Sequence, residues 1–220
     1  PKNFYHSPMT KLVSLENTTN KGGGYCWDIS EFEKIQKVCI ENELGLHMDG
    51  ARIWNSIIAM NNDPKIYGNF FDTISVCLSK GLGCPIGSVL LGKGKVMEKA
   101  IRIRKILGGG MRQVGYLAAA GLYALQNNIN RLSDDHRRAK EIAKKFSSKD
   151  IVNKINSVET NIIIIELNKS VNKQKIINHF SYHNVIFDWY SMGVQKIRIV
   201  THLDYTEKDH KDLLDIVDKL

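Results

Sequence analysis

The chain has 220 residues, 43% of them hydrophobic and 25% charged, an ordinary composition for a globular protein able to bury a substantial core. No run of about 18 apolar residues occurs, which excludes a transmembrane helix, and 4 prolines and 17 glycines spread among aromatics exclude disorder. Lys plus Arg number 31 against 23 acids, a net charge of +8. The bases are scattered, however, and the densest group, Arg102-Ile103-Arg104-Lys105, leads directly into glycines. The charge therefore reads as a solvated surface and not as a nucleic-acid or membrane interface.

Lys11 to Glu16 alternates loosely and predicts a short strand, and Thr18 to Gly24 a loop. Ser30 with Glu33 has the spacing of a capping box and predicts a helix start, with Ile35, Val38 and Cys39 on one face and Gly45 as its left-handed end. Leu46–Asp49, Asp72–Leu78 and Ile86–Leu91 read as strands, with a helical stretch including Ile57 and Ile58 between the first two. Strand, helix, strand at this spacing predicts a parallel sheet with crossovers. One long helix is expected from about Arg112 to Phe146. Beyond it come strands at 161–167, 185–189 and 196–200, a helix at 171–183, and a last helix capped by Thr206. The four cysteines (Cys26, Cys39, Cys77, Cys84) show no CxxC spacing and read as reduced thiols of a cytoplasmic protein. The opening Pro1-Lys2-Asn3, without initiator Met or signal segment, is expected of a processed product or of a piece of something longer.

The loops after two predicted strands carry the chemistry. Ligands bind open α/β sheets at the edge these loops face. Lys80 follows an apolar strand in Ser79-Lys80-Gly81-Leu82-Gly83, and a lysine held in a partly desolvated loop is an amine nucleophile toward carbonyls. Asp49 ends a strand in His47-Met48-Asp49-Gly50-Ala51-Arg52, with the arginine three residues on. Each feature alone has a bland explanation: a solvated lysine and a local ion pair. Together they suit pyridoxal phosphate, which needs a Schiff-base lysine and a carboxylate facing its ring nitrogen. Two unit charges about 4 Å apart at an effective dielectric near 20 interact by roughly 4 kcal/mol, enough to keep that nitrogen protonated. Arg52 then suits the ring oxygen. The histidines show no ligand spacing that would indicate zinc.

The stretches HMDGARIWN (47–55), CLSKGLGCPIGSVLLG (77–92) and RKILGGGMRQVGYLAAAG (104–121), with SLENTTN (14–20) and IRIVTHLD (197–204) in the same order, resemble the low-specificity L-threonine aldolases. The resemblance covers essentially the whole chain. It implies the PLP-dependent transferase-like fold type I, an α/β fold with a mainly parallel sheet in the large domain and a smaller C-terminal α/β domain. Residues 1–125 would be part of the cofactor-binding domain, and 126–220 the linking helix and small domain. It further implies cleavage of L-threonine or L-allo-threonine to glycine and acetaldehyde. Lys80 would carry the cofactor, Asp49 face its ring nitrogen, Arg52 its ring oxygen and Ser79 its phosphate. Arg198 would bind the substrate carboxylate, and His6, ahead of the ENT stretch, would handle the β-hydroxyl proton.

Two departures stand out: Met9 where relatives carry an arginine, and Gly22-Gly23-Gly24-Tyr25, which looks like an insertion. Relatives also carry a long further segment before the point matching Pro1, with the phosphate-binding turn and a ring-stacking residue. The expectation is thus a C-terminal portion of an aldolase-like homo-oligomer. The alternatives are another lyase or a racemase of the same cofactor and fold, and a non-catalytic fragment acting as an assembly module.

Overall fold

The computed structural model describes residues 5–6 and 8–220; the opening Pro1-Lys2-Asn3 lies outside the described residues. Two sheets organise the chain. The first contains β1 (Leu12–Glu16), β2 (Gly45–Gly50), β3 (Thr73–Cys77) and β4 (Ser88–Gly92), in that spatial order. β1, β2 and β3 are mutually parallel and β4 is antiparallel to β3. Parallel neighbours need crossovers. Here α1 (Ile29–Glu41) joins β1 to β2, while α2 (Ile53–Met60), a 3-10 turn at Pro64–Ile66 and the short α3 (Tyr67–Phe70) join β2 to β3. Then follow α4 (Gly94–Ile106), α5 (Gly115–Asn127) and α6 (Leu132–Ser147). The second sheet is antiparallel, β5 (Val152–Ile155), β6 (Ile162–Leu167) and β7 (Lys196–Val200), with α7 (Lys173–Tyr182) and α8 (Glu207–Asp218).

Strand alternation sets which side chains are free for chemistry. In β2, Leu46 and Met48 are buried against Phe32, Ile53, Tyr67 and Phe71, with Ile74 and Val76 of β3. His47 and Asp49 therefore fall on the opposite face. In β7, Ile197 and Ile199 enter a second core with Phe146, Phe180, Trp189 and Leu213, which leaves Arg198 on the face away from it. The long amphipathic α6 buries Leu132, Asp135, His136, Ala139, Ile142, Ala143 and Phe146, a three-and-four spacing on one face. It packs against α2 as well as α8, β5 and β6, and so couples the two sheets.

Several expectations shift. Asp28, not Ser30, caps α1: its Oδ1 accepts from Ser30 N at 2.8 Å, and Asp is as good a cap as Ser. The helix stops at Glu41 and the left-handed residue is Glu43, φ 55°. Gly45 instead opens β2, its N–H donating to Lys11 O. The expected single helix from Arg112 to Phe146 is two. Asn127 Nδ2 turns back to Tyr123 O, Asn128 Nδ2 to Leu82 O, and Ser133 Oγ donates to Asn130 O. Such side-chain bonds compete with a continuing helical ladder. Residues 185–189 form no strand and contribute only a bridge between Asp188 and Arg198. α4 and β5 have no counterpart in the sequence expectations. β4 is as apolar as expected but exposes all five residues. No described helix is long and apolar enough to cross a membrane.

His136 gives this fold a pH dependence. Its Nε2 accepts from Asn55 Nδ2 at 3.1 Å, tying α6 to α2, and the residue is 6% exposed. Burial, and then the positive charge of Lys140, pull the imidazole from 6.5 down to about 4. The unfolded chain takes up this proton near pH 6.5 and the folded chain only near pH 4, so acidification through that window favours unfolding. The neutral ring's contribution is complete above pH 6.5. Its loss by pH 4 is about 3 kcal/mol. Urea melts at pH 7 and pH 4 are expected to show a smaller stability difference in His136→Gln than in the wild type; equal differences would contradict this.

Candidate active site

The site forms where the loop after β2, the loop after β3 and the end of β7 meet. Asp49 pairs with Glu16 of β1 and Ser75 of β3, and its Oδ1 accepts from Ala51 N at 3.0 Å. The carboxylate is thereby folded over the turn that leads to Arg52. Gly50 is required at that turn, since a Cβ would stand 2.5 Å from Ser75 O. Arg52, half-buried at the start of α2, donates from Nη1 to Asn20 Oδ1 at 3.2 Å.

The Lys80 loop is held through its backbone. Gly83 N donates to Lys80 O at 2.8 Å and Cys84 N to Leu78 O at 3.1 Å. Asn128 Nδ2 and Arg131 Nη1 reach Leu82 O and Gly81 O, anchoring the loop to the junction of α5 and α6. Gly83 has φ +75°, and a Cβ there would meet Leu203 Cδ2 at 2.6 Å, so glycine suits it on both counts. A rigid loop thus presents Lys80 and Ser79, both exposed. The partial burial expected of Lys80 is not found.

A cavity of about 360 Å³ is lined by Arg52, Ser79, Lys80, Gly83, Cys84, Asn161, Val200 and His202 among others. It brings together three of the sequence-predicted residues, Lys80, Ser79 and Arg52. Arg198, on β7, is joined to Arg52 through Asn20, whose Oδ1 also accepts from Arg198 Nη2 at 2.7 Å. Burial, then the positive charge of Arg198, hold the Arg52 guanidinium below the ordinary arginine range, and Glu16, Cys77 and Asp49 act in the opposite direction. These charges therefore share one electrostatic neighbourhood. His6 is exposed with its ring against Tyr5, outside the residues lining the cavity.

Sequence reasoning gave Asn161 and Asn20 no role, although Asn20 closes the SLENTTN stretch. Asn161 is 3% exposed, lines the cavity, and its Oδ1 lacks a partner among the described residues. An unpaired buried acceptor costs about 1–3 kcal/mol, and Asn161 Nδ2 is spent on Thr201 O at 2.9 Å.

The sequence matches the family of beta-eliminating lyases over residues 1–170. This chain belongs to that family. It is 37% identical over 212 residues to low-specificity L-threonine aldolase 1 of Arabidopsis thaliana, covering 95% of this chain and 59% of that protein. It is 38% identical over 208 residues to the low specificity L-threonine aldolase of Escherichia coli O157:H7, covering 92% and 58%. The chain spans about half the length of the curated relatives it matches. A threonine aldolase structure from Leishmania major superposes with TM-score 0.81 at 19% identity, over 99% of this chain and 63% of that one. That likeness bears out the expected α/β fold type I architecture.

Threonine aldolases and beta-eliminating lyases of this fold use pyridoxal phosphate, and the residues present fit it. A lysine amine, a hydroxyl and an arginine line one cavity. A carboxylate stands at the adjoining strand end.

Proposed function

We propose that the chain carries the catalytic residues of a pyridoxal-phosphate aldolase that cleaves L-threonine or L-allo-threonine to glycine and acetaldehyde. The observation that carries this is one neighbourhood holding Lys80, Arg52 and Arg198, with Asp49 at the strand end beside it. Lys80 would hold the cofactor through its amine, Asp49 its ring nitrogen, Arg52 its ring oxygen and Ser79 its phosphate. When bound, pyridoxal phosphate supplies the sink for the electron pair left at Cα as the Cα–Cβ bond breaks.

Arg198 binds the substrate's α-carboxylate. The planar guanidinium fork matches a carboxylate with two parallel hydrogen bonds, and so orients the bond to be broken. Arg52 at its side adds a second positive charge. The β-hydroxyl proton is assigned to His6 or to a water it orients, on the resemblance alone, because His6 is not among the residues lining the cavity. Assignment of residues 1–125 to a cofactor domain and 126–220 to a smaller one is supported by the two sheets with separate cores. A homo-oligomer is supported by exposed apolar side chains on α4 and α5, among them Ile101, Ile106, Tyr116 and Leu122. Four free thiols support a cytoplasmic location.

The test is incubation of the chain and cofactor with each threonine diastereomer, reading glycine and acetaldehyde. Both products are expected in equal amounts. Exchange of the α-proton without acetaldehyde would indicate the lyase or racemase alternative instead. A second reading, the assembly module, is favoured by a specific observation: β4 is exposed throughout and α4 buries no residue. A chain that takes up no cofactor yet self-associates would support it.

A further inference from the structure

The loop between β1 and α1 carries Asn20 into the space between the two sheets. It is built for a fixed position. Asn20 N donates to Glu16 Oε2 at 2.9 Å, and Gly24 N donates to Thr19 O at 2.7 Å. At the far end of the loop, Thr160 Oγ1 donates to Gly24 O at 2.8 Å. Gly24 has φ +81° and a Cβ there would stand 2.4 Å from Thr160 Oγ1, so the glycine run lets the loop lie against the second sheet. From this anchorage, Asn20 Oδ1 accepts from Arg52 Nη1 of the first sheet's loop and from Arg198 Nη2 of β7, at 3.2 and 2.7 Å.

A carbonyl oxygen has two lone pairs, and both serve a guanidinium here. Two cations sharing one neutral acceptor repel each other; burial first, and then the charge of Arg198, hold the Arg52 guanidinium below its ordinary range. The counter-charges around them are poorly placed to neutralise both. Asp188 stands 4.0 Å from Arg198 Nη1, and Glu16 uses Oε2 on the Asn20 N–H. A neutral acceptor therefore holds the arginines together while leaving their charge for a ligand.

We propose that Asn20 is a positioning residue that clamps Arg52 and Arg198 into one carboxylate-binding unit, and that its neutrality is what keeps the unit cationic. The identity of the carboxylate, the substrate's α-carboxylate, rests on the aldolase reading; the clamp itself does not. Aspartate at this position has the same size and keeps both hydrogen bonds, but cancels one of the two charges. Alanine removes the shared acceptor and lets the guanidinium groups separate.

The probe is acetate, titrated into the cofactor-free chain labelled with 15N-arginine. The Nε–Hε signals of Arg52 and Arg198 are followed, with R52K and R198K providing assignments. N20D is expected to raise the acetate Kd at least tenfold, and N20A several-fold, with unchanged circular dichroism. A merely structural asparagine would leave the isosteric N20D at the wild-type value. Acetate affinity in N20D within twofold of wild type, or no acetate response at either arginine in the wild type, overturns the proposal. A separate assay of the cofactor-loaded chain on L-threonine is expected to show KM raised at least tenfold in N20D with a smaller change in kcat. If the wild-type chain forms no glycine, the aldolase reading fails, while the acetate titration still decides the role of Asn20.

Discussion

Lys80→Ala is expected to lower kcat for threonine cleavage by at least about a thousandfold while leaving the fold intact. The two halves of that expectation come from different atoms. The loop owes its shape to backbone bonds, Gly83 N to Lys80 O and Cys84 N to Leu78 O, and to the side chains of Asn128 and Arg131 that reach it from the junction of α5 and α6. None of these uses the Lys80 side chain. An exposed substitution away from such contacts usually changes stability by no more than about 0.5 kcal/mol. The amine, in contrast, is the proposed nucleophile, and no other lysine lines this cavity among the described residues. Lys80→Arg distinguishes the nucleophile from the charge. A guanidinium keeps the cation but does not deprotonate to attack a carbonyl, so this variant is expected to be as inactive as Lys80→Ala. Glycine formation by both variants, with thermal melts as the control for folding, checks the pair.

Arg198→Ala is expected to reduce kcat/KM for threonine by about a hundredfold, mostly through KM. Hydrogen bonds to charged groups contribute about 1.5–3 kcal/mol each, and a bidentate pair adds orientation to that energy. Arg198 sits in β7 between two buried isoleucines, Ile197 and Ile199, and faces away from their core. Truncation therefore opens no cavity there. Arg198→Lys is expected to recover only a part of the loss, because an ammonium offers a point charge where the planar fork offers two parallel donors. Steady-state kinetics on L-threonine, with the stability of each variant measured alongside, separates this from unfolding. A kcat/KM for Arg198→Ala within threefold of wild type would contradict the assignment.

What was legible in the sequence follows what is local. Asp49-Gly50-Ala51-Arg52 and Ser79-Lys80-Gly81 lie at strand ends, and the rule that such ends face a ligand needs only the order of strands and helices. Arg198 was reached through the resemblance of IRIVTH, since an arginine in a strand has no chemistry of its own. The roles of Asn20 and Asn161 were not legible, although Asn20 closes the SLENTTN stretch. An asparagine before a glycine run reads as a turn residue, and the two arginines that meet at Asn20 are 146 positions apart in the chain. Only the fold joins them, through the β1–α1 loop that Thr160 holds at Gly24 O.

The errors in the fold have the same origin. The break between α5 and α6 depends on Asn128 finding Leu82 O, 46 residues away. The helical pattern on each side carries no sign of it. The apolar run at 86–91 predicted a strand correctly, but hydrophobicity alone does not say what covers it, and β4 is exposed throughout. In α4 the basic residues of Arg102–Lys105 were read as surface charge. They are that, on a helix whose Ile101, Ile103 and Ile106 are exposed as well.

The assignment of Lys80 is tested most directly by loading the chain with pyridoxal phosphate, reducing with borohydride and mapping the labelled peptide. A single label on Lys80, absent from Lys80→Ala, is the expected result. Label on another lysine, or a folded chain that takes up none, would contradict it.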